Sequence, residues 1–588
     1  MGRILGSIAA AMLIGGGMVQ SVQAEESPLT LVYPPDGHET TAAQIFLIGS
    51  APSEGVVLVN DRAIPRSTAG HFAPSFPLEL GENRFTLRYG DRVMELTVVR
   101  RSPVPALPDG LGFGPNSLEP SADIARLPNE LFCFDAIATP NATVFVTLGS
   151  RQVPLQPQAT STLLPSNAAV LTGQNQPLSA SGAGHYQGCT AIAQPGDLGR
   201  PIFTVSQDGQ TITQPAPGRV TILNPAALDG VEVVATDGVA RTGPSTNHSR
   251  LTPLPQGTRA AVTGREGDWL RLDYGGWIRA KETQPLAQTG LPRSIIRSVL
   301  SRPNQGWTDV VFPLTVPVPV SMQQRDREFI LTLHNTTAQT DTIYLAADPV
   351  IRRLDWQQVA PSQVEYRFQL QPERQWGHRL RYEGSSLILS LRHPPQPSSA
   401  RSQPLSGIRI LLDPGHGGDE LGARGPNGLP EKTVNLTVSN LLKAELEQRG
   451  ATVYMTRDSD EFVSLRDRMD AIDQLAPTLA LSIHYNALPD NGDAINTAGI
   501  GAFWYHGQAH ELAQFLHDYL VKTLDRPAYG VYWNNLALTR PNAAPTVLLE
   551  LGFMINPTEF EWIVDPAEQE RLAGAIAEGI VTYIKHHR

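Results

Sequence analysis

Ile408-Arg409-Ile410-Leu411-Leu412-Asp413-Pro414-Gly415-His416-Gly417-Gly418 decides how the last third of the chain is read. Residues 408–412 form a nearly continuous apolar run, the pattern of a strand buried on both faces. Asp-Pro-Gly stops that strand, and the glycines around His416 make a tight turn that lets another backbone approach closely. Outward from this point, 432–449 has helical period, with Val438, Leu441, Leu442 and Leu446 on one face. Strands are predicted at 452–455, 479–483, 501–505 and 547–551. Helices are predicted at 464–475, opened by a Ser-x-x-Asp cap, and at 511–524 and 567–585. The alternation predicts an α/β domain over 407–588, with a mostly parallel sheet covered by helices.

Four residues of this domain carry candidate chemistry. His416 sits in DPGHGG (413–418), Glu431 in PEKTVNL (430–436), His484 in SIHYNA (482–487) and Glu550 in LLELGFM (548–554). In an open α/β sheet, ligands bind outside the carboxyl ends of strands. His416, His484 and Glu550 each fall at or just past such an end, and Glu431 opens a helix after the His416 loop. Two imidazoles and a carboxylate can hold one Zn2+ and leave a position for water, which the ion acidifies. A further carboxylate must then move the proton, and Glu550 fits that role. A carboxylate among Val547, Leu548, Leu549 and Leu551 is costly unless function keeps it. Arg540 is a candidate for binding a substrate carboxylate or an oxyanion, with a plain surface charge as the alternative. Asn486 is a candidate for orienting His484 or substrate, and Asp413 for holding the turn or backing an imidazole. His506, His510 and His517 read as ordinary surface or half-buried histidines.

The 588 residues are too many for one core, and a net charge of -11 with no long basic run excludes nucleic acid and anionic membrane surfaces as expected partners. Residues 1–24 read as a secretory signal peptide, with a retained anchor as the alternative. No later stretch is long and apolar enough for a transmembrane anchor in the mature chain. The expected location is therefore outside the cytoplasm, in the periplasm or cell envelope. The two cysteines, Cys133 and Cys189, are expected to form a disulfide in that oxidising setting; two free buried thiols are the alternative.

Upstream of 407 the pattern is β throughout. Residues 27–101 read as an immunoglobulin-like sandwich, 102–120 as a Pro- and Gly-rich linker, and 121–216 as a second β domain containing a long loop at 160–184. Residues 218–285 read as a small barrel. Within it, Gly267-Asp268-Trp269-Leu270-Arg271-Leu272-Asp273-Tyr274-Gly275-Gly276-Trp277-Ile278 resembles bacterial Src-homology-3-like domains. Trp269, Tyr274 and Trp277 are either a ligand groove or core. Residues 293–397 read as an accessory β domain, faintly similar to those that target cell-wall amidases, and 398–406 as a linker.

The C-terminal frames, with Thr456-Arg457-Asp458, Leu465-Arg466-Asp467-Arg468 and Gly552-Phe553-Met554-Ile555-Asn556-Pro557, resemble the zinc-dependent N-acetylmuramoyl-L-alanine amidases, a bacterial cell-wall hydrolase family. The resemblance covers nearly all of 408–585 and none of the upstream two-thirds. It implies peptidoglycan as the substrate, His416, Glu431 and His484 as ligands of one zinc ion, and Glu550 as the acid/base. The bond cut would be the amide joining N-acetylmuramic acid to L-alanine of the stem peptide. Two departures stand out. Tyr485 replaces a small residue, and only residues 488–498 occupy the place where some relatives insert a plug helix; eleven residues cannot form it at 1.5 Å per residue. A zinc carboxypeptidase or endopeptidase, and a non-catalytic wall-binding scaffold, are the competing readings. The upstream β domains are the candidate wall binders.

Overall fold

The computed structural model describes residues 29–165, 175–287, 292–371, 374–396 and 403–586. The predicted signal segment lies outside these residues.

The C-terminal domain is built on a six-stranded sheet. Its elements are β1 (Arg409–Pro414), α1 (Glu431–Gln448), β2 (Thr452–Met455), α2 (Leu465–Leu475), β3 (Leu479–Asn486), β4 (Ile500–Trp504), α3 (Gly507–Leu524), β5 (Ala528–Trp533), β6 (Thr546–Phe553), α4 (Pro557–Val564) and α5 (Pro566–His586). The strand order is β2-β1-β3-β6-β4-β5. The first four strands run parallel; β4 and β5 are parallel to each other, and β4 is antiparallel to β6. Alternate residues go to opposite faces, as the pleat requires. Ile410, Leu412, Leu481, Ile483, Val547 and Leu549 join α1, α3 and α5 in the larger core. Leu411, Ala480 and Leu548 pack on the other face with Ile472 of α2. Ser464 caps α2, accepting a bond from the Asp467 amide at 3.2 Å. α1 buries Val434, Val438, Leu442 and Leu446, leaving Leu441 at the edge of the core.

Upstream, two of the remaining apolar cores are enclosed by β-structure alone. Residues 29–101 pack sheets of three, five and two strands around Val57, Phe72, Leu87 and Val98. Two sheets between Ser294 and Arg392 enclose Phe312, Phe329, Tyr366 and Phe368. Cys133 and Cys189 stand opposite each other in register on antiparallel strands and are disulfide-bonded.

The structure corrects four upstream readings. The division between 121–216 and 218–285 is not a break in the sheet. Ile124–Arg126 and Gly196–Gly199 share an eight-stranded sheet with Val220–Ile222 and Arg259–Glu266, because Ile124, Val220 and Ile222 close one core with Phe132 and Phe134. The linker expected at 102–120 is pinned in its second half: Leu118 is buried, and the Gly114 and Glu119 amides bond to the Ile137 and Asp135 carbonyls at 2.8 and 2.9 Å. The 160–184 loop contains a hairpin, Thr160–Leu163 against Leu178–Ser181; residues 166–174 are outside the described set. Of the 398–406 linker, 398–402 lie outside the described residues, but Leu405 is fully buried in the C-terminal core.

The aromatic trio of the small barrel is committed to packing. Trp269 and Trp277 are buried beneath arginine guanidinium groups, and Tyr274 lies tilted against His334 with ring centroids 5.0 Å apart.

The β modules are fastened to the C-terminal domain. Trp376 is buried in its core, and Arg392 bonds to the carbonyls of Ala476 and Pro477. From the first module, Tyr33 and His38 both bond to Asp490, and Thr68 and Ala69 bond to Glu561 of α4. Phe46, Ile48 and Ala73 form a shared apolar cluster with Ala494, Phe553 and Ile555.

Candidate metal centre and catalytic site

His416 follows β1 with φ of 60°, a left-handed conformation that a non-glycine residue adopts only when its surroundings enforce it. The enforcement is a pair of buried arginines. Arg468 donates to the carbonyls of His416 (2.7 Å) and Pro414 (2.8 Å) and to Asp413 Oδ1 (2.6 Å). Arg457 donates to the carbonyls of Pro414, Gly415 and Lys432, each at 2.9 Å. Asp413 also accepts from Thr456 and Ser482, both at 2.6 Å. Burial alone would raise its pKa, but Arg468 and these hydroxyls outweigh burial and hold the carboxyl below its ordinary value. One aspartate therefore joins β1 and β3 to α2 directly beneath the His416 turn.

Glu431 is the first residue of α1 and is almost completely buried. Its Oε1 accepts from Asn435 (3.0 Å) and the Tyr485 amide (3.1 Å), and its Oε2 from the Ala423 amide (2.9 Å). His484 Nδ1 lies 3.0 Å from Oε1, and His416 Nε2 lies 3.2 Å from Oε2. Burial works against the charge of Glu431, yet the bonds from His416 and His484 prevail and its pKa falls well below the usual range. One ligand atom each from His416, Glu431 and His484 all lie within 4.8 Å of one another.

Glycines make room for this trio. A Cβ on Gly415 would meet His484 Cε1 at 2.1 Å, and one on Gly422 would meet Glu431 Oε2 at 2.4 Å. Glu550 stands beside the trio, because His484 and Glu550 are register partners on parallel β3 and β6. Its Oε2 is buried with no hydrogen-bond partner. Burial, reinforced by the Glu431 charge, pushes its pKa well above the usual carboxylate range. The donor set suits zinc: two imidazole nitrogens and a carboxylate, with an unpartnered acid alongside.

Residues 410–582 match the family model described as N-acetylmuramoyl-L-alanine amidase. The C-terminal domain belongs to this amidase family. Among curated relatives, a probable cell wall amidase LytH of Staphylococcus epidermidis is 36% identical over 191 residues, 32% of this chain and 62% of that protein. The Staphylococcus aureus protein of the same name is 35% identical over 188 residues, again 32% of this chain and 62% of the relative. The chain thus spans about 62% of the length of these relatives. Among solved structures, the amidase AmiC2 of Nostoc punctiforme aligns at 31% identity and a TM-score of 0.29, covering 31% of this chain and 99% of that one.

One of the remaining candidates in the amidase domain lies away from the site. Arg540 precedes the start of β6, and four residues of strand between Thr546 and Glu550 separate that end from the trio by roughly 13 Å. Its guanidinium is turned onto Asn535, at 2.6 Å to Oδ1 and 2.9 Å to the carbonyl, so it does not reach the metal site. Asn486 is buried next to the site; its Oδ1 accepts from the Ala487 amide and its Nδ2 has no hydrogen-bond partner. His506 bonds the Arg540 carbonyl, His517 bonds Asp518, and His510 lies against Trp504.

Asn435, Arg457 and Arg468 support the trio, and no role was read for them in the sequence. Their sequence signal is faint: an amide one turn after Glu431, and arginines that look like helix or turn surface. No helix of the described residues is long and apolar enough to cross a membrane.

Proposed function

We propose that the chain is a zinc-dependent hydrolase of peptidoglycan that cuts the amide between N-acetylmuramic acid and the L-alanine of the stem peptide. The observation that carries this reading is the convergence of His416, Glu431 and His484 within 4.8 Å, with Glu550 in register beside His484. Zinc held by these three would acidify a water and polarise the scissile carbonyl.

The protein's own contributions follow from its geometry. Ala423, Tyr485 and Asn435 fix the Glu431 carboxylate, and Arg468 and Arg457 fix the turn that carries His416. Glu550 takes a proton from the attacking water and returns it to the leaving amine, a role that suits a carboxyl with a raised pKa. Residues 488–498 form turns without a helix and are held by the first β module, so the site is free of a plug of that kind.

We place the protein in the cell envelope after export. We assign residues 218–285 to an Src-homology-3-like module, though its strands continue into the preceding region. The test is zinc content paired with product analysis of digested wall, for the full chain and for His416→Ala. A new N-terminal alanine together with a freed lactyl carboxyl supports the amidase. A new terminus inside the peptide would make the protein a zinc peptidase. Bound wall without digestion would leave it a scaffold.

A further inference from the structure

A cavity of about 1040 Å³ lies where three parts of the chain meet. Arg250–Pro253 come from the small barrel, residues 321–327 with Arg374, Gln375 and His378 from the accessory β module, and Trp504, Tyr505 and Trp533 from the amidase domain. It sits away from the zinc site. β4 runs antiparallel to β6 with Gly501 opposite Glu550, so Trp504 lies three residues, roughly 10 Å, toward the other end of the strand. The junction is sealed by specific bonds: Thr252 accepts from the Met322 amide at 2.9 Å, and Gln324 donates to Gln508 at 3.0 Å.

Three buried polar atoms on the lining have no partner: His378 Nε2, Gln324 Oε1 and Arg374 Nη1. His378 as a whole is only 2% exposed. Buried polar atoms are nearly always satisfied, so three at one junction make the wall behind the cavity unusually polar. The lining is also cationic, in a chain whose net charge is -11. Arg250, Arg325, Arg327 and Arg374 outnumber Asp326 and Glu511 on the lining; Glu511 pairs with Arg374, and Arg325 pairs with Glu328 just outside it at 3.0 Å. No carboxylate among the described residues pairs with Arg250. Glu282 acts on it only through space, and Arg241 and Arg540 lie near it as well, so three guanidinium groups gather around Tyr505.

The cavity also carries aromatic faces. Trp533 is 61% exposed and is oriented by its indole N–H, which donates to the Tyr505 carbonyl at 2.9 Å. Tyr505 lies against it with centroids 5.2 Å apart. An exposed indole beside arginines suits a ligand with apolar C–H faces and a carboxylate. A sugar ring bearing an acid has both features. The volume is at the upper end of ligand pockets, room for several rings.

We propose that this cavity is a second, non-catalytic site that binds wall glycan stripped of its peptides, the product of the proposed amidase reaction. That reaction turns each lactyl amide into a free lactyl carboxylate, carried on the sugar by an ether oxygen, so a charge hangs beside the ring. The inference rests on the amidase reading for the identity of its ligand.

The test uses the full chain and a soluble, peptide-free oligosaccharide of alternating N-acetylglucosamine and N-acetylmuramic acid. Tryptophan fluorescence and calorimetry should show saturable binding. A chitin oligomer of equal length, which lacks the carboxylates, should bind about ten-fold more weakly or worse, as loss of a charge-assisted contact implies. Trp533→Ala and Arg250→Gln should each weaken binding by about ten-fold while zinc content and hydrolysis of a short soluble muropeptide stay unchanged. Equal affinity for the two oligomers, unaltered binding by both variants, or no saturable binding would overturn the proposal and leave the cavity to water. Intact hydrolysis with no glycan binding would remove only this site. Glycan binding by a protein that hydrolyses nothing would remove the amidase reading instead.

Discussion

Tyr33 donates its phenol to Asp490, joining two residues 457 positions apart in the chain. Asp490 belongs to the segment that leaves the His484 strand, so the first β module holds the loop next to the metal site. His38 bonds the second oxygen of the same carboxylate at 2.9 Å, and Gln44 bonds the Asn491 carbonyl at 2.6 Å.

Removing residues 29–101 would uncover Phe553 and Ile555, now at 0% and 4% exposure. Each large apolar side chain returned to water forfeits about 1.5–3 kcal/mol. The truncated protein is expected to melt earlier and to aggregate, and an intact melting curve in calorimetry would contradict the shared cluster. Asp490→Ala should cost about 1–3 kcal/mol through the stranded Tyr33 and His38 partners. It should also speed amide exchange in 488–498 without touching zinc content.

Glu550→Gln keeps the shape of the side chain and removes its proton chemistry. Turnover should fall by roughly 10²–10⁴ while bound zinc, measured by atomic absorption, is unchanged. His416→Ala should lose both. Undiminished digestion by the Gln variant would reassign the proton shuttle.

Gly415→Ala places a methyl where the His484 ring now lies, 2.1 Å from Cε1. The imidazole must swing away, and zinc affinity is expected to fall by an order of magnitude or more, as for a displaced ligand. Competition with a chelating dye reads this directly. Gly574→Ala in α5 serves as the comparison for an added Cβ at a glycine with no neighbouring atom within 4 Å.

Acid should loosen the joint between the accessory module and the amidase domain. Burial drives the His378 pKa down to about 3 and that of His506 to about 4. Their rings meet edge to face with centroids 5.6 Å apart. Both values lie below the unfolded value of 6.5, so the unfolded chain binds more protons. The neutral rings contribute stability that is present above pH 6.5 and is lost as pH falls toward 4. By proton linkage the loss at pH 4.5 is about 2–3 kcal/mol for each residue. His378→Gln should flatten the dependence of Tm on pH across that window, and parallel profiles would rule the linkage out.

Much of the amidase domain could be read from sequence because its signals are long and local. The runs at 408–412 and 479–483 are apolar enough to mark strands, and the four reactive residues sit at element ends where βα topology gathers them. The upstream region resisted for the opposite reason. Ile124–Arg126 and Val220–Ile222 are three residues each, too short for a period, and they pair because distant side chains close one core. Arg540 misled because proximity to Glu550 in sequence is distance along a strand. Arg457 and Arg468 were invisible as supports because a buried arginine bonding backbone carbonyls has no pattern of its own.

The knot at Asp413 has a consequence for metal exchange. Its bonds to Arg468, Thr456 and Ser482 span β1, α2 and β3 and involve none of the three proposed ligands. The socket is therefore tied by the chain itself, unlike a finger that collapses when its ion leaves. Chelation should silence such an enzyme reversibly while circular dichroism stays flat, so activity in the envelope would follow the local supply of zinc rather than the survival of the fold.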